Sequence, residues 1–561
     1  MQRAGRCNGF RKLIYGLAFL LFTIILVTDI FADITVFTWK KDFLIRNIVL
    51  IAVAGLFWWV LDRLWQKKRY HKKHTLWASK WTLLGAVILL FILQVWVSYQ
   101  IFFETGWDPA AVIAEVRNII EDRGINWQWY FQAYPNNLTI AQIYYWILRV
   151  NRALHLFSGE YELMAIVVVN CAVSSLTCML VWLTAREISG GNHRICWLSW
   201  TLSALLTGLS PWMVVTYTDS LGLIFPISIL YLYFRVSKTN SNRKKVLGWT
   251  LLLILGYVGY LIKPQAVIML IAIVLAELWK RVRGFLADRQ EKGFRRTIAA
   301  PFCRLTLVLL MTCTVIVGIQ MEKSRWQNSR GFIEDSEKSM DPLHYLNMGL
   351  NTEQDGAFLQ ADLDRSAKFA TKSERDQYNL ESAKTRVKSM GISGLARHLA
   401  KKMMVLYADG TFAWACEPDF WQTMLPEAEN SQSGMRTQHF LRELYYEDGQ
   451  YYRLFETAEQ LVWMLVLTGC WITSAKELAK LKNAENMPMT EEELPDHFYL
   501  PIALSLLGLT MFELIFEARA RYLYIYAPVF VLMAFLSIFM SNDLNEMKRI
   551  DKIIIGFSSE E

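Results

Sequence analysis

Residues 81–109 read WTLLGAVILLFILQVWVSYQIFFETGWDP. From Trp81 to Phe103 there is no Asp, Glu, Lys or Arg, and about 20 such residues suffice for a helix to cross roughly 30 Å of hydrocarbon. Immediately beyond the run come Glu104 and, in Gly106-Trp107-Asp108-Pro109, a second carboxylate. Asp108 therefore falls where a side chain meets both lipid headgroups and water, which points to chemistry at a membrane surface.

The same pattern recurs through the chain. Of 561 residues, 54% are hydrophobic and the mean hydropathy is +0.22. Apolar runs predict spans at Leu13 to Ile30, Phe43 to Val60, Trp81 to Phe103, Leu163 to Ala185, Cys196 to Val215, Leu221 to Phe234, Val246 to Ile262, Ala266 to Leu278, Ile298 to Gln320, Leu461 to Ser474, Tyr499 to Phe516 and Tyr522 to Met540. The expected fold is an all-α polytopic membrane protein with about twelve transmembrane helices. Three parts are expected: an N-terminal membrane module over 1–320, an extracytoplasmic domain over 321–457, and C-terminal helices with a cytoplasmic tail over 458–561.

Cytoplasmic loops carry the excess of Lys and Arg. The basic stretches are the amino terminus (Arg3, Arg6, Arg11, Lys12), Lys67 to Lys73, Arg235 to Lys245 and Lys280 to Arg296, and alternation of the spans puts all four on one side. Lys40-Lys41 runs against the trend. Both termini are expected in the cytoplasm, and the net charge of +8 is mostly a topology signal. No soluble stretch interleaves basic and aromatic residues, so no nucleic-acid partner is expected. The first apolar run lacks a small-x-small cleavage site around Asp29 to Ala32 and is expected to stay as an anchor. The eight cysteines fall mostly in or beside spans, with no zinc spacing. No Gly-rich phosphate loop is present, which argues against a nucleotide-driven motor.

Two segments are too long to be hinges, Glu104 to Glu162 and Met321 to about Thr457, and they are expected as extracytoplasmic lobes. In the first, Val112, Ile113, Val116, Ile119 and Ile120 recur at helical spacing, predicting an amphipathic helix from Pro109 to Asp122 lying along the membrane. A second periodic stretch spans Ile140 to Phe157, after a turn at Tyr134-Pro135-Asn136-Asn137. In the second segment Ile392 to Leu406 carries Leu395, Leu399 and Met403 on one face and Arg397, Lys401 and Lys402 on others. Such a helix suits an anionic interface, either as a plain surface helix or beside a phosphate-bearing substrate.

Charges inside a bilayer are costly and mark function, and in transporters they gather near the midplane. Here Glu104, Asp108, Asp219, Lys263, Glu513, Glu517, Arg519 and Arg521 crowd the outer ends of spans. A site at the outer leaflet boundary is expected.

With Gly106-Trp107-Asp108-Pro109, Tyr217-Thr218-Asp219-Ser220, Lys263-Pro264 and Glu517-Ala518-Arg519-Ala520-Arg521-Tyr522, the chain resembles the GT-C superfamily of membrane glycosyltransferases, especially bacterial members like the protein mannosyltransferase family. The resemblance implies a GT-C-like bundle in a bacterial cytoplasmic membrane and sugar transfer from a polyprenyl-phosphate carrier to a cell-envelope glycan. Many relatives pair two acids in the first loop, whereas Asp108 is followed by Pro109, which leaves a divalent cation, magnesium or manganese, open. Asp108 and Asp219 are its candidate ligands.

Such transfer needs a base for the acceptor hydroxyl, and Asp108 is the candidate. The leaving phosphate needs cations, for which Arg519, Arg521 and Lys263 are candidates with Tyr522 beside them. Asp219, Glu104, Trp107, Asn137 and Glu517 are candidates for positioning acceptor or substrate. Each has a plainer role: Asp108-Pro109 is also a helix start, with Asp as N-cap and Pro at the first helical position. Lys263 is also a snorkelling lysine, Arg519 and Arg521 are also headgroup neighbours, and Asp219 is also a hinge or cap. Asp409-Gly410-Thr411 reads as a turn, and Asn137-Leu138-Thr139 matches a glycosylation sequon. The rival functions are a lipid-linked sugar flippase, which predicts a polar path across the midplane through residues such as Asn170 and Thr201, a polymerase or ligase of lipid-linked glycans, and an inactive scaffold.

Overall fold

The computed structural model describes residues 2–32, 43–67, 80–288, 294–424, 432–484 and 496–539. Among these, nine helices are long and apolar enough to cross a membrane: Gly9–Ala32, Asn47–Leu64, Lys80–Gln100, Gly159–Ile188, Thr218–Ser237, Asn242–Ile262, Arg304–Arg330, Tyr452–Lys482 and Phe498–Ile515, joined by a shorter apolar helix at Ala527–Leu536. The protein is an integral membrane protein, and among the described residues it is all-α apart from one pair of short strands.

Three of the expected spans change shape, and Tyr522 to Met540 is one, split into the short helix Arg521–Tyr524 and the helix Ala527–Phe539. Cys196 to Val215 is a helix only over His193–Ser203, followed by a π-turn at Ala204–Gly208 and a 3-10 turn at Pro211–Val214. Pro211 has no N–H to continue an α-helix. Ala266 to Leu278 belongs to the helix Val267–Asp288. Lys40-Lys41, most of the Lys67 to Lys73 loop, residues 289–293 and the tail from Met540 onward lie outside the described residues.

The helices are held together by apolar packing inside and by paired polar groups. Tyr452–Lys482 packs on the first two spans and on Ala527–Phe539, where Phe530 meets the rings of Phe22, Tyr407 and Trp463. Leu89, Leu56, Trp59 and Leu310 stay exposed on the outer faces of their helices, as a lipid-facing surface requires. Backbone freed at depth must find partners within the protein. Gln94 Nε2 accordingly donates to Gly208 O at 2.6 Å and to Ser174 Oγ at 3.0 Å, tying off the π-turn. Asn170 Nδ2 donates to Met213 O and Val215 O at 3.1 and 3.0 Å, so Asn170 anchors the non-helical stretch leading to Tyr217.

The two long segments meet at one end of the bundle. Strand β1 (Phe103–Thr105) pairs antiparallel with β2 (Trp421–Met424), and Met340 N donates to Ala133 O at 2.9 Å. The predicted amphipathic helix is Trp107–Ile120, but Val112, Ile113, Val116 and Ile119 are buried in protein where it packs on the helix Asn137–Leu154, not laid on lipid. It is the second helix that keeps Trp146, Val150 and Leu154 exposed. The turn at Pro135–Asn136 is present.

The basic stretch also departs from expectation. It ends the long helix Lys372–Tyr407, bent at Gly391 (φ 61°). Arg397 is exposed, but Lys402 is fully buried. Lys402 Nζ donates to Gly349 O at 3.0 Å, Leu514 O at 2.9 Å and Phe516 O at 2.5 Å. A cation on the last carbonyls of a helix satisfies orphan acceptors and the helix dipole. Lys402 thus clamps the long segment to the C-terminus of the Phe498–Ile515 span. Burial lowers its pKa to about 8, with Glu513 and Glu517 opposing.

Candidate functional site

Asp108 enters the site through a tight crossing of backbones. A Cβ on Gly106 would lie 1.8 Å from Asp419 O, so only glycine lets β1 run beside the segment before β2, where Gly106 N donates to Phe420 O at 3.4 Å. The helix then begins at Trp107, with Gly106 rather than Asp108 as N-cap and no side-chain cap. Trp107 sits at φ 43°, stacked on Phe420 at 5.1 Å. The expected N-cap role of Asp108 is therefore replaced: its carboxylate turns away from its own helix amides.

Asp108 Oδ1 accepts from the Tyr130 hydroxyl at 2.9 Å and Oδ2 from the Tyr217 hydroxyl at 3.0 Å. Asn137, buried, donates from Nδ2 to the Tyr130 oxygen at 2.6 Å. Asn137 is thus built into the Asp108 network, and its burial removes it as a sequon. Burial raises the pKa of Asp108, opposed by Arg521 and the two tyrosines. Burial and the neighbouring Asp108 push Tyr130 and Tyr217 well up, so both stay protonated donors. Asp108 itself is only half-buried, as are Tyr134, Tyr345 and Tyr522.

Against this carboxylate lies a buried ion cluster. Lys263 Nζ donates to Asp219 Oδ1 at 2.6 Å. Arg521 donates from Nη1 to Asp219 Oδ2 at 3.1 Å and from Nε to Glu417 Oε1 at 2.9 Å. Arg519 Nη2 lies 3.4 Å from Glu417 Oε2. The Tyr522 ring is 4.8 Å from both Lys263 Nζ and Arg521 Cζ, and its hydroxyl donates to Glu517 at 3.0 Å. Tyr217 joins the two halves, because its ring also lies 5.7 Å from Arg521 Cζ while its hydroxyl holds Asp108. Burial lowers the Lys263 pKa, with Asp219 opposing. Burial opposes the charge on Arg521, yet Tyr522, Glu417 and Asp219 outweigh it and leave Arg521 well above the ordinary range. Burial raises Glu517, opposed by Arg519 and Arg521.

The structure thus gathers Asp108, Asn137, Asp219, Lys263, Glu517, Arg519, Arg521 and Tyr522. Glu104 stands apart: both its oxygens accept from Arg117, at 2.8 and 3.2 Å, in a network with Glu162 and Arg152. A divalent cation does not fit Asp219, whose two oxygens are taken by Lys263 and Arg521. Asp108 is taken by two hydroxyls, and among the described residues no three His, Cys, Asp or Glu side chains group as a ligand set. Asp409 is a turn, as expected, accepting from Thr411 N and Ala413 N at 2.9 and 2.8 Å. Elsewhere, a cleft of about 970 Å³ lined by Leu89, Leu93, Trp197, Trp200 and Leu205 is almost wholly apolar and offers no comparable chemistry.

A family model described as conserved hypothetical integral membrane protein matches residues 10–542. The chain belongs to that family. No curated protein and no solved structure matches it. In this member of the conserved hypothetical integral membrane protein family, the residues that sequence patterns missed are Tyr130 and Glu417, while Tyr217 stood in the Tyr217-Thr218-Asp219-Ser220 motif without a role of its own. Glu417 lies in a segment where Phe412, Ala413, Ala415 and Asp419 adopt left-handed φ of 51–61°. With Trp107 they make five of the eight non-glycine residues at positive φ among the described residues. Such strain persists only where the surroundings enforce it and clusters at functional sites.

Proposed function

We propose that the protein is a membrane glycosyltransferase of GT-C-like form with about twelve spans and two lobes, moving a sugar from a polyprenyl-phosphate donor to an envelope glycan outside a bacterial cytoplasmic membrane, with both termini cytoplasmic. The observation that carries this is the bridge through Tyr217 between the Asp108 carboxylate and the buried Lys263, Arg519 and Arg521 cluster. A base and a set of cations close to each other are the two halves that glycosyl transfer from a phosphate requires.

In the reaction the acceptor oxygen attacks the anomeric carbon, the bond from that carbon to the phosphate oxygen breaks, and the polyprenyl phosphate leaves with the electron pair. Asp108 takes the acceptor proton. Its two tyrosine donors fix its orientation, and its raised pKa brings it nearer neutral pH, where a general base works best. The arginines stabilise charge growing on the leaving phosphate, which Arg does well because its planar fork meets phosphate oxygens at two points. A positioned donor of this kind is worth about 3 to 4 kcal/mol in the transition state. The half-buried faces of Tyr134, Tyr345 and Tyr522 supply apolar surfaces against which a sugar ring can lie. A flippase would need a polar track at mid-membrane. Gln94, Ser174 and Asn170 are instead committed to holding local backbone.

The test is transfer by the purified chain in liposomes from radiolabelled polyprenyl-phosphate sugars. Label appearing on a glycan acceptor supports the proposal. Label that crosses the bilayer on intact lipid, with no donor consumed, replaces it with the flippase.

A further inference from the structure

Resting on that proposed donor, we infer that Glu417 is an internal stand-in for the donor phosphate: it pairs with Arg519 and Arg521 and is displaced when the phosphate arrives. All three cations of the cluster are already opposed, Lys263 by Asp219, Arg521 by Asp219 and Glu417, Arg519 by Glu417. A phosphate cannot add to this arrangement without one carboxylate withdrawing, because like charges at such distances in a buried site repel strongly.

The geometry singles out which one. Asp219 is fully buried at the start of the helix Thr218–Gly222 and is gripped from both sides, at 2.6 and 3.1 Å. Glu417 spreads its two oxygens over both arginines at 2.9 and 3.4 Å, the two-oxygen, two-guanidinium pattern that a phosphate monoester or diester forms. It is carried by irregular backbone between Tyr407 and β2, with Pro418 after it and left-handed Ala415 and Asp419 on either side. That backbone holds stored strain which a release would relieve. The same segment touches Gly106 and stacks Phe420 on Trp107, so withdrawal of Glu417 reports directly to the residue before Asp108. Donor binding and the setting of the base are thereby coupled.

The experiment measures binding of decaprenyl phosphate and of neutral decaprenol to the full chain in nanodiscs, for wild type, Glu417→Gln and a remote control, Glu121→Gln, whose partners are Arg123 and Arg152. Glu417→Gln is expected to bind decaprenyl phosphate about tenfold tighter than wild type, the order expected when a close like charge is removed from a partly shielded site. Binding of decaprenol should be unchanged, as should both ligands with Glu121→Gln. Equal or weaker phosphate binding by Glu417→Gln, with decaprenol still bound, overturns the inference but leaves the donor standing. If no variant and no wild type binds decaprenyl phosphate, the proposed function falls as well. A second measurement needs no variant: Cys416, partly exposed beside Glu417, should be alkylated faster by N-ethylmaleimide when decaprenyl phosphate is added and not when decaprenol is. An unchanged Cys416 rate under saturating decaprenyl phosphate also overturns the displacement.

Discussion

Replacing Gly106 with alanine tests whether the site depends on the close crossing of its two segments. The added Cβ would stand 1.8 Å from Asp419 O, whereas real contacts are essentially never under 3.0 Å. The backbones must part by about 1.2 Å, and neither is a flexible side-chain tip that can swing aside. Overpacking of this kind costs about 1–3 kcal/mol, which the bundle can tolerate. The catalytic consequence is larger. Asp108 is two residues away, and a displacement near 1 Å costs on the order of 100-fold in rate. Gly106→Ala is expected to remain monodisperse and to lose about two orders of magnitude of sugar transfer per folded molecule, measured in proteoliposomes. Gly85→Ala is the comparison, since open space surrounds Gly85 and alanine favours a helix by up to about 1 kcal/mol. Gly106→Ala with the same transfer rate as Gly85→Ala would refute the reasoning.

Four further outcomes follow from the same geometry. Lys402→Met strands three buried carbonyls and is expected to cost about 2–4 kcal/mol, offset in part by no longer burying a charge, read as a lowered melting temperature in detergent. Asp219→Asn leaves Lys263 and Arg521 facing a neutral amide and should cost about 3–5 kcal/mol. Glu104→Gln, paired with the peripheral Arg117, should leave transfer within about threefold, the scale of a partly exposed pair; an equal loss of transfer in Asp219→Asn and Glu104→Gln proteoliposomes would contradict the placement of Glu104 outside the site. Asp108 acts as a base only when deprotonated, and its pKa is raised by burial. Transfer should therefore rise with pH through a midpoint above the ordinary carboxylate value, and in a pH–rate profile a midpoint at or below that value would count against it.

Much of the bundle is legible in the sequence because hydropathy reports what lipid demands of a helix. Gly9–Ala32, Lys80–Gln100 and Asn242–Ile262 all lie close to the apolar runs that predict them. Composition cannot see where a helix breaks inside protein. Cys196 to Val215 carries no Asp, Glu, Lys or Arg, yet its α-helix stops at Ser203, and Gln94, 114 residues before Gly208, gives the Gly208 carbonyl the donor it needs. The amphipathic period of Val112 to Ile120 marks a buried face but not what buries it, so a helix covered by protein reads as one lying on lipid. Most of the candidate site was visible as charges at span ends, where Asp219, Lys263, Arg519 and Arg521 each flank an apolar run. Glu417 was not, because its partners are Arg519 and Arg521 about a hundred residues on. Its strain lies in backbone angles that alanine and phenylalanine do not announce. Glu104 misled for the complementary reason: Arg117, one helix further, absorbs its charge.

Asp108→Asn tests most directly whether Asp108 is the base for sugar transfer. Asparagine keeps the shape and an acceptor for the Tyr130 or Tyr217 hydroxyl while removing the charge. With polyprenyl-phosphate sugar binding and folded amount measured alongside transfer, the account predicts unchanged donor binding and transfer reduced by at least about 100-fold, the scale of a lost general base. Transfer within a few-fold of wild type, with the donor bound normally, would contradict it.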